Sequence, residues 1–184
     1  MSSKKSLTVL AVDLDHTLIH TDMIYLGFKQ ILFKKLYLMP ILLYLLFAKG
    51  KPSAKKYLYD NTTFDLKVVP FNTELIKFIK AERHNYDHTI LISGSYHKYV
   101  QKISDYLKIF DSYVGTNLEV NMISNNKISY LNERFNMPIF DYIGDNKKDI
   151  PVWEVSRKVL VVDNGNIKRY ISHMKYTCLL YTSD

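Results

Sequence analysis

The chain has 184 residues, of which 47% are hydrophobic and 23% are charged. This length and composition fit one globular domain with a sizeable core and exclude a disordered or fibrous protein. The single cysteine, Cys178, excludes an internal disulfide and a metal cluster built from this chain's thiolates. The net charge of +7 suits nucleic acid, anionic lipid or a phosphorylated ligand. The lysines are scattered without a nucleic-acid motif, so we expect no nucleic-acid partner.

The amino-terminal sequence MSSKKSLTVLAVDLD has a basic start and a short apolar run that Asp13 and Asp15 interrupt. It is therefore a poor match to a signal peptide. We expect a cytoplasmic protein, with membrane association through a later apolar segment as the alternative.

Residues 7–14 form an apolar run that is rich in β-branched residues and ends in acidic residues, which is typical of a buried parallel strand. Three later runs share this pattern and are bounded by Gly, Ser, Asn or Asp: 89–93, 140–144 and 159–163. Apolar residues spaced by three and four predict helices over four segments: 74–83, 96–107, 128–135 and 149–157. The alternation predicts an α/β fold with a doubly wound, Rossmann-like parallel sheet and functional residues at its strand ends.

Residues 22–65 interrupt this alternation, because they are rich in Leu, Tyr and Lys and contain no strand pattern. We predict a small helical cap here, inserted after the first strand, and a core domain of residues 1–21 and 66–184. The most apolar stretch, 36–48, has thirteen residues with an internal Pro40, fewer than the roughly 18 of a membrane span. Lysines flank this stretch. Two hypotheses follow: the cap helices bury their apolar faces against each other and the core, or the stretch lies in a membrane interface.

The sequence DLDHT, residues 13–17, follows the first predicted strand. Strand alternation points Asp13 and Asp15 to the same side, near the solvent-exposed end of the strand. Two neighbouring carboxylates repel each other unless a cation or a shared proton offsets the repulsion. The pair therefore indicates a metal site or acid–base chemistry. The alternative is that one carboxylate caps the next turn and the other is solvated.

The sequence GDNKKD, residues 144–149, follows the run at 140–144 and brings Asp145 and Asp149 to the same edge of the sheet. Converging carboxylates suit a hard divalent cation, and Mg²⁺ is the expected choice beside phosphate oxygens. Asp149 also fits a helix cap, because Ile150 and Pro151 follow it.

The sequence ISGS, residues 92–95, ends the second predicted strand and opens a helix. The hydroxyl of Ser93 and the amide of Gly94 are candidates to bind an anion such as phosphate, and Ser95 fits a helix N-cap. Lys127 follows a polar stretch and starts a helix, so it is a candidate to neutralise a phosphoryl group and the carboxylates. A lone lysine is more often solvated surface.

Taken together, DLDHTL, LISGS, the lysine before a helix and GDNKKD resemble, in kind and order, the four motifs of the haloacid dehalogenase (HAD) superfamily. The resemblance implies Asp13 as nucleophile, Asp15 as general acid and base, and Lys127 as the charge-stabilising lysine. It implies that phosphate is bound at Ser93, with the Gly94 amide beside it.

The same resemblance implies bound Mg²⁺ and a helical cap of the C1 type over the site. The metal ligands would be Asp13, Asp15 and Asp145, with Asp149 and Thr17 in support. His16 occupies a position where many members of the superfamily have Gly.

More narrowly, DLDHTLIHTD, VPFNTELIKFIK, NNKISYLNERF and FDYIGDNKKDIPVW resemble the hydrolase-like domain fused to membrane prenyltransferases of the UbiA type. We expect this domain without the fused prenyltransferase. The implied activity is Mg²⁺-dependent hydrolysis of a phosphomonoester through an aspartyl-phosphate, on a small phosphorylated metabolite or a lipid-linked phosphate.

Two other functions fit the same residues. The first is a non-catalytic or regulatory domain that associates with a membrane prenyltransferase or a lipid surface through residues 36–48. The second is a phosphotransferase that passes the phosphoryl group to an acceptor other than water.

Overall fold

The computed structural model describes residues 6–162 and 177–180. Its centre is a six-stranded sheet in the order β3-β2-β1-β4-β5-β6, in which every neighbouring pair is parallel. The strands are β1 Thr8–Val12, β2 His88–Tyr96, β3 Ser112–Thr116, β4 Ile139–Gly144, β5 Lys158–Val162 and β6 Thr177–Leu180. The predicted doubly wound, Rossmann-like α/β fold is therefore confirmed.

Seven α-helices are found in the described part of the chain: α1 Met23–Lys34, α2 Met39–Tyr44, α3 Lys51–Asn61, α4 Thr73–Glu82, α5 His97–Leu107, α6 Asn125–Phe135 and α7 Ile150–Val155. Four of them, α4 to α7, cover the four segments whose spacing predicted helices. Side chains cap the amino-terminal ends of two of these helices. Asp22 accepts hydrogen bonds from backbone N–H groups in the first turn of α1, and Asn72 accepts one from the Leu75 N–H in α4.

Four turns of 3₁₀-helix and one of π-helix complete the described helices. The 3₁₀ turns are Leu36–Leu38, Leu66–Val68, Arg83–Asn85 and Lys147–Asp149, and the π turn is Leu45–Lys49. The π turn continues directly from α2.

The packing of β1 explains why a strand at the centre of the sheet has a continuous apolar run in the sequence. Leu10 and Val12 pack into the core on one face of the sheet, together with residues of α4 and α5. Val9 and Ala11 pack into the core on the other face, against residues of α6 and α7. A parallel strand covered by helices on both faces needs apolar side chains at every position.

β3 and β6 were not predicted, and both are at the edges of the sheet. β3 has the sequence SYVGT, and its first two residues are only half-buried, so it lacks a continuous apolar run. The run at 159–163 forms β5, but its last residue, Asp163, lies outside the described residues, as do positions 163–176 and 181–184 of the predicted core domain.

Helices α1 to α3 lie between β1 and β2 in the chain. They have a small hydrophobic core of their own, formed by Ile31, Leu42, Ala54 and Leu58. Pro40 lies in the first turn of α2, where the missing N–H costs no hydrogen bond, so it starts a helix there. The boundaries at 22 and 65 between cap and core remain a prediction.

None of the helices in the described part of the chain is by itself long and apolar enough to cross a bilayer. One pair of segments, Met23–Lys34 with Leu36–Lys49, meets the length and composition criteria together, but it is bent by 116° between them.

The strand order places a topological switch between β1 and β4. From β1 the chain builds outward through β2 to β3, and it then crosses to β4 on the other side of β1. In open α/β sheets such a switch leaves a crevice at the carboxyl ends of the two strands, which is where ligands bind. Asp13 and Asp145 are the first residues after these two strands.

Candidate active site

Asp13 is fixed at the switch by its backbone. β1 ends at Val12, and the Asp13 N–H donates a 2.9 Å hydrogen bond to the carbonyl of Ile143 in β4. The Asp13 side chain is buried beneath a cavity of about 120 Å³. The cavity is lined by Asp13, Asp15, His16, Asp22, Ile24, Lys55, Gly94, Ile123, Lys127, Asp145, Asn146, Lys148 and Asp149.

Three buried carboxylates converge at this cavity. Asp13, Asp145 and Asp149 each offer an oxygen atom, and these atoms lie within 4.8 Å of one another. Buried like charges at this separation destabilise the folded state unless cations compensate them. An all-oxygen ligand set suits a hard divalent cation such as Mg²⁺ or Ca²⁺.

Lys127, in α6, places a positive charge beside these carboxylates. Its ammonium donates to Asp13 Oδ1 at 2.7 Å, to Asp149 Oδ1 at 2.9 Å and to Tyr142 Oη at 2.5 Å. The side chain is 3% exposed, so this lysine is not the solvated surface residue that a lone lysine usually is. One ammonium cannot neutralise three carboxylates, so a metal ion bound there would add compensating charge.

Asp149 has a second partner in the same network, at the oxygen that Lys127 also contacts. The Tyr142 hydroxyl donates to Asp149 Oδ1 at 2.9 Å. Asp149 precedes α7 but makes no side-chain capping bond to it. The helix cap is therefore not formed, and the supporting role of Asp149 at a metal site remains a prediction.

Gly144 allows the Asp149 carboxylate to approach the strand. A Cβ atom at position 144 would lie 2.7 Å from the Tyr142 ring and 2.8 Å from Asp149 Oδ2. Both distances are shorter than real contacts, so only glycine fits between them.

Burial and mutual repulsion perturb the acidic groups. Burial raises the pKa of Asp13 well above its ordinary value, and the charges of Asp149 and Asp15 add to this rise against the opposing effect of Lys127. Burial and the charge of Asp149 raise the pKa of Asp145 to about 6. Burial alone would lower the pKa of Lys127, but the carboxylates of Asp13 and Asp149 outweigh it and raise that pKa. The lysine therefore stays protonated.

The Asp15 carboxylate faces the same cavity but has different partners. It accepts hydrogen bonds from Ser95 Oγ at 2.6 Å, from the Met23 N–H at 2.9 Å and from Ser93 Oγ at 3.3 Å. Because β1 ends at Val12, strand alternation no longer governs positions 13 to 15. Asp15 is not one of the three converging carboxylates, and its role as a metal ligand remains a prediction.

Burial and the charge of Asp22 raise the pKa of Asp15. A carboxyl group with a raised pKa holds a proton closer to neutral pH. This property suits a general acid and base.

Ser93 and Gly94 lie at the irregular end of β2, where its register with β3 shifts between Ser93 and Tyr96. Gly94 lines the cavity and packs tightly, since a Cβ there would come within 2.9 Å of Ile123. The Ser93 hydroxyl is fully buried and accepts a 3.0 Å hydrogen bond from the Ser95 N–H. The predicted capping role of Ser95 is wrong, because α5 begins two residues later and the Ser95 hydroxyl instead donates to Asp15.

Thr17 and His16 shape the turn after Asp13. The buried Thr17 hydroxyl donates to Asp145 Oδ1 at 3.2 Å, which links the two strand ends. His16 has a positive φ of 57°, in the left-handed region that glycine adopts most readily and in which histidine is enriched. Glycine would adopt this conformation without strain.

Lys55, in α3, is a site residue that sequence reasoning missed. Its ammonium donates to the Gly94 carbonyl at 2.5 Å, to Asn121 Oδ1 at 2.8 Å and to Thr116 Oγ1 at 3.4 Å. Burial and the nearby charges of Lys148 and Lys51 lower its pKa to about 8, although Asp15 and Asp22 oppose this. One feature indicated a buried role for this lysine: Lys55 lies on the same stripe of its helix as the apolar residues Ala54 and Leu58, which are buried.

Tyr142 is the second missed residue. It is fully buried in β4, and its hydroxyl bonds Lys127 and Asp149. A buried tyrosine hydroxyl usually has a hydrogen-bond partner. The signal in the sequence was therefore a tyrosine inside the predicted buried strand at 140–144.

A second, more apolar cavity of about 260 Å³ adjoins the first. The two share four lining residues: Ile24, Lys55, Ile123 and Lys148. Leu46, Ala54 and Leu58 complete its apolar wall.

Comparison with known sequences finds one distant curated relative. No family model matches the chain. The uncharacterized protein y4nM of Sinorhizobium fredii is 27% identical over 117 residues, which cover 64% of this chain and 22% of that protein. The matched part thus spans about a fifth of the length of this relative.

Solved structures share the fold at low sequence identity. A protein of unknown function from Bordetella pertussis has a TM-score of 0.73 at 10% identity and covers 96% of this chain and 99% of its own. A HAD family hydrolase from Salmonella enterica serovar Typhi has a TM-score of 0.63 at 13% identity, over 93% and 67%. An apo phosphoserine phosphatase has a TM-score of 0.59 at 14% identity, over 86% of each chain. The fold is therefore HAD-like, and the narrower resemblance to UbiA-fused domains remains a prediction.

Proposed function

We propose that this protein is a Mg²⁺-dependent phosphomonoester hydrolase that acts through an aspartyl-phosphate. One observation carries the proposal. The buried Lys127 bridges Asp13 and Asp149 at the switch point of a HAD-like sheet, and Asp145 offers an oxygen within the same 4.8 Å group.

The nucleophile in this proposal is Asp13. Lys127 binds its Oδ1 atom and thereby orients the carboxylate, while the ammonium charge screens the approach of an anionic phosphate. An Asp13 oxygen forms a bond to phosphorus as the bond from phosphorus to the leaving oxygen breaks. Water then attacks phosphorus, the Asp13–phosphorus bond breaks, and inorganic phosphate leaves.

Asp15 transfers the protons. Its raised pKa lets it donate a proton to the leaving oxygen in the first step and take one from the attacking water in the second. Ser93 and Ser95 hold its carboxylate in place through their hydroxyl groups. A group that must give and then regain a proton works best with a pKa near the working pH.

The residues fit Mg²⁺, because three buried carboxylates offer oxygen ligands within 4.8 Å of one another. Asp13 and Asp145 would hold the ion, with Asp15 as the third predicted ligand and Asp149 beside them. When bound, Mg²⁺ supplies positive charge that stabilises the phosphoryl oxygens.

Ser93 and Gly94 are the proposed phosphate contacts. Gly94 lines the cavity above Asp13, and Lys55 and Thr116 hold its carbonyl from the other side. This clamp fixes the backbone of the turn, so its groups keep one position as the phosphoryl group moves.

The adjoining cavity bears on the substrate. A phosphate at Asp13 directs the rest of the molecule toward the shared wall of Ile24, Lys55 and Ile123. Because that cavity is lined largely by apolar side chains, it favours a lipid-linked phosphate or another phosphomonoester with an apolar leaving group over a sugar phosphate.

The direct test is phosphate release from an aryl phosphate and from a panel of metabolite and prenyl phosphates, with and without Mg²⁺. We expect Mg²⁺-dependent turnover that Asp13→Asn abolishes. The matched control is Asp105→Asn, which changes an exposed carboxylate that does not line the cavity at Asp13. A folded wild type that binds Mg²⁺ but hydrolyses none of these compounds would favour the non-catalytic function, and transfer to an alcohol in place of water would favour a phosphotransferase.

A further inference from the structure

The outer surface of α1, α2 and the turns beside them concentrates exposed apolar side chains. Eleven of the nineteen exposed large hydrophobic residues in the described part of the chain fall between positions 25 and 47. We call these eleven the apolar cap surface: Tyr25, Phe28, Leu32, Phe33, Leu36, Tyr37, Ile41, Leu43, Tyr44, Leu46 and Phe47. Three of them, Phe33, Tyr37 and Phe47, are 73%, 75% and 84% exposed. Such a concentration marks an interaction site.

The net positive charge of the chain comes from the same segment. Residues 23–59 contain seven lysines and no Asp, Glu or Arg. The other 18 of the 25 basic residues are balanced by all 18 acidic ones, so this segment accounts for the whole net charge of +7. Four of the seven lysines are exposed: Lys29, Lys34, Lys49 and Lys51.

We propose that the apolar cap surface docks on an anionic lipid bilayer. Its aromatic and aliphatic side chains would enter the interface between headgroups and acyl chains, and the four exposed lysines would contact the headgroups. The 116° bend between Met23–Lys34 and Leu36–Lys49 suits a segment that lies in the interface.

The combination of charge and apolarity selects the lipid over other partners. A second copy of the chain would bring two segments of charge +7 together, and this repulsion opposes self-association. Nucleic acid would attract the lysines and could stack its bases on the aromatic rings, but it offers no apolar environment for the five exposed aliphatic side chains. An anionic bilayer satisfies both features at once.

Leu46 connects the docked surface to the interior, since it is 38% exposed and also lines the apolar cavity next to Asp13. Docking would therefore bring the cavity wall close to the bilayer. The docking proposal does not depend on phosphatase activity.

The apolar part is tested by co-sedimentation of the full chain with vesicles. Two compositions are compared: phosphatidylcholine alone, and phosphatidylcholine with an equal amount of phosphatidylglycerol. The test variant is Phe33→Ser, Tyr37→Ser and Phe47→Ser combined. The control changes three other exposed apolar residues: Val68→Ser, Leu118→Ser and Met137→Ser.

We expect the wild type and the control to bind the anionic vesicles and the test variant to bind on the order of tenfold more weakly. All six changed positions are exposed, so circular dichroism should show folded proteins. Absence of wild-type binding, or equal loss in the control, would overturn the proposal. So would self-association of the wild type that the test variant abolishes without any vesicle binding.

The charge part has its own pair of variants. The test variant replaces the exposed cap lysines: Lys29→Gln, Lys34→Gln, Lys49→Gln and Lys51→Gln. The control replaces four exposed lysines elsewhere: Lys67→Gln, Lys77→Gln, Lys80→Gln and Lys158→Gln. We expect the test variant to lose the preference for anionic over neutral vesicles and the control to keep it. A wild type that binds both compositions equally would refute an anionic partner.

Discussion

The ammonium of Lys127 lies 2.7 Å from Oδ1 of Asp13, although 114 residues separate the two in the chain. Both side chains are buried, and α6 and the end of β1 bring them together. A buried ion pair of this kind is costly to break, because removing one partner leaves the other charge uncompensated.

Lys127→Met should therefore destabilise the metal-free protein by about 3 kcal/mol or more. Lys77→Met, which breaks an exposed pair with Glu74, should change the free energy of unfolding by less than about 1 kcal/mol. Urea denaturation measures both. Added Mg²⁺ should restore part of the lost stability in Lys127→Met, since a cation can replace the missing charge. An equal effect of the two substitutions would contradict the role given to Lys127.

Asp15→Asn should lower kcat by about 10²- to 10⁴-fold, because the general acid and base is removed. The loss should be smallest for aryl phosphates with good leaving groups, whose oxygen needs no proton. Measuring kcat across a series of substituted aryl phosphates checks this dependence. The same loss across the whole series would mean that Asp15 acts in some way other than proton donation.

Metal binding should depend on pH through Asp145. A proton must leave this carboxyl before it can bind a cation, so affinity should fall as pH drops through about 6. In the metal-free protein the sign is opposite: because folding raises the pKa of Asp145, its contribution to stability is present at low pH and is lost as pH rises through about 6. Calorimetric titration with Mg²⁺ from pH 5 to pH 8 tests the first statement, and thermal unfolding without metal tests the second. An affinity independent of pH in this range would exclude Asp145 as a ligand.

Lys55→Met should weaken phosphate binding more than it affects the fold. The change removes the donor that holds the Gly94 carbonyl, so KM for the aryl phosphate and Ki for inorganic phosphate should both rise. The neighbouring Lys56→Met is a matched control, because Lys56 pairs with Asp60 on the surface. A fall in kcat alone, with KM and Ki unchanged, would argue against a positioning role for Lys55.

Gly144→Ala should destabilise the protein and displace Asp149. Its Cβ would meet the Tyr142 ring at 2.7 Å and Asp149 Oδ2 at 2.8 Å, and these atoms belong to the buried network. Gly27→Ala provides the contrast, since its Cβ would have ordinary contacts of 3.5 Å with Leu58 inside a helix. There alanine should stabilise by up to about 1 kcal/mol. Thermal unfolding of both variants tests these predictions. An unchanged melting temperature for Gly144→Ala would contradict the first and show that the network can rearrange.

The sequence by itself determined the fold and the four central strands of the sheet. Buried parallel strands need apolar residues on both faces, and amphipathic helices need them at spacings of three and four. Both patterns are local and can be recognised without tertiary contacts. The edge strand β3 escaped prediction because its sequence, SYVGT, lacks this continuous apolar character.

Tertiary structure alone decided which polar groups meet. The sequence offered Asp13 and Asp15 as a pair, but the end of β1 at Val12 sends the Asp15 carboxylate to Ser95 and leaves Asp13 with Lys127. The contacts of Lys55 and Tyr142 depend on residues 66 and 15 positions away. No local pattern encodes such distances, because they follow from the packing of helices and strands that are remote in the chain.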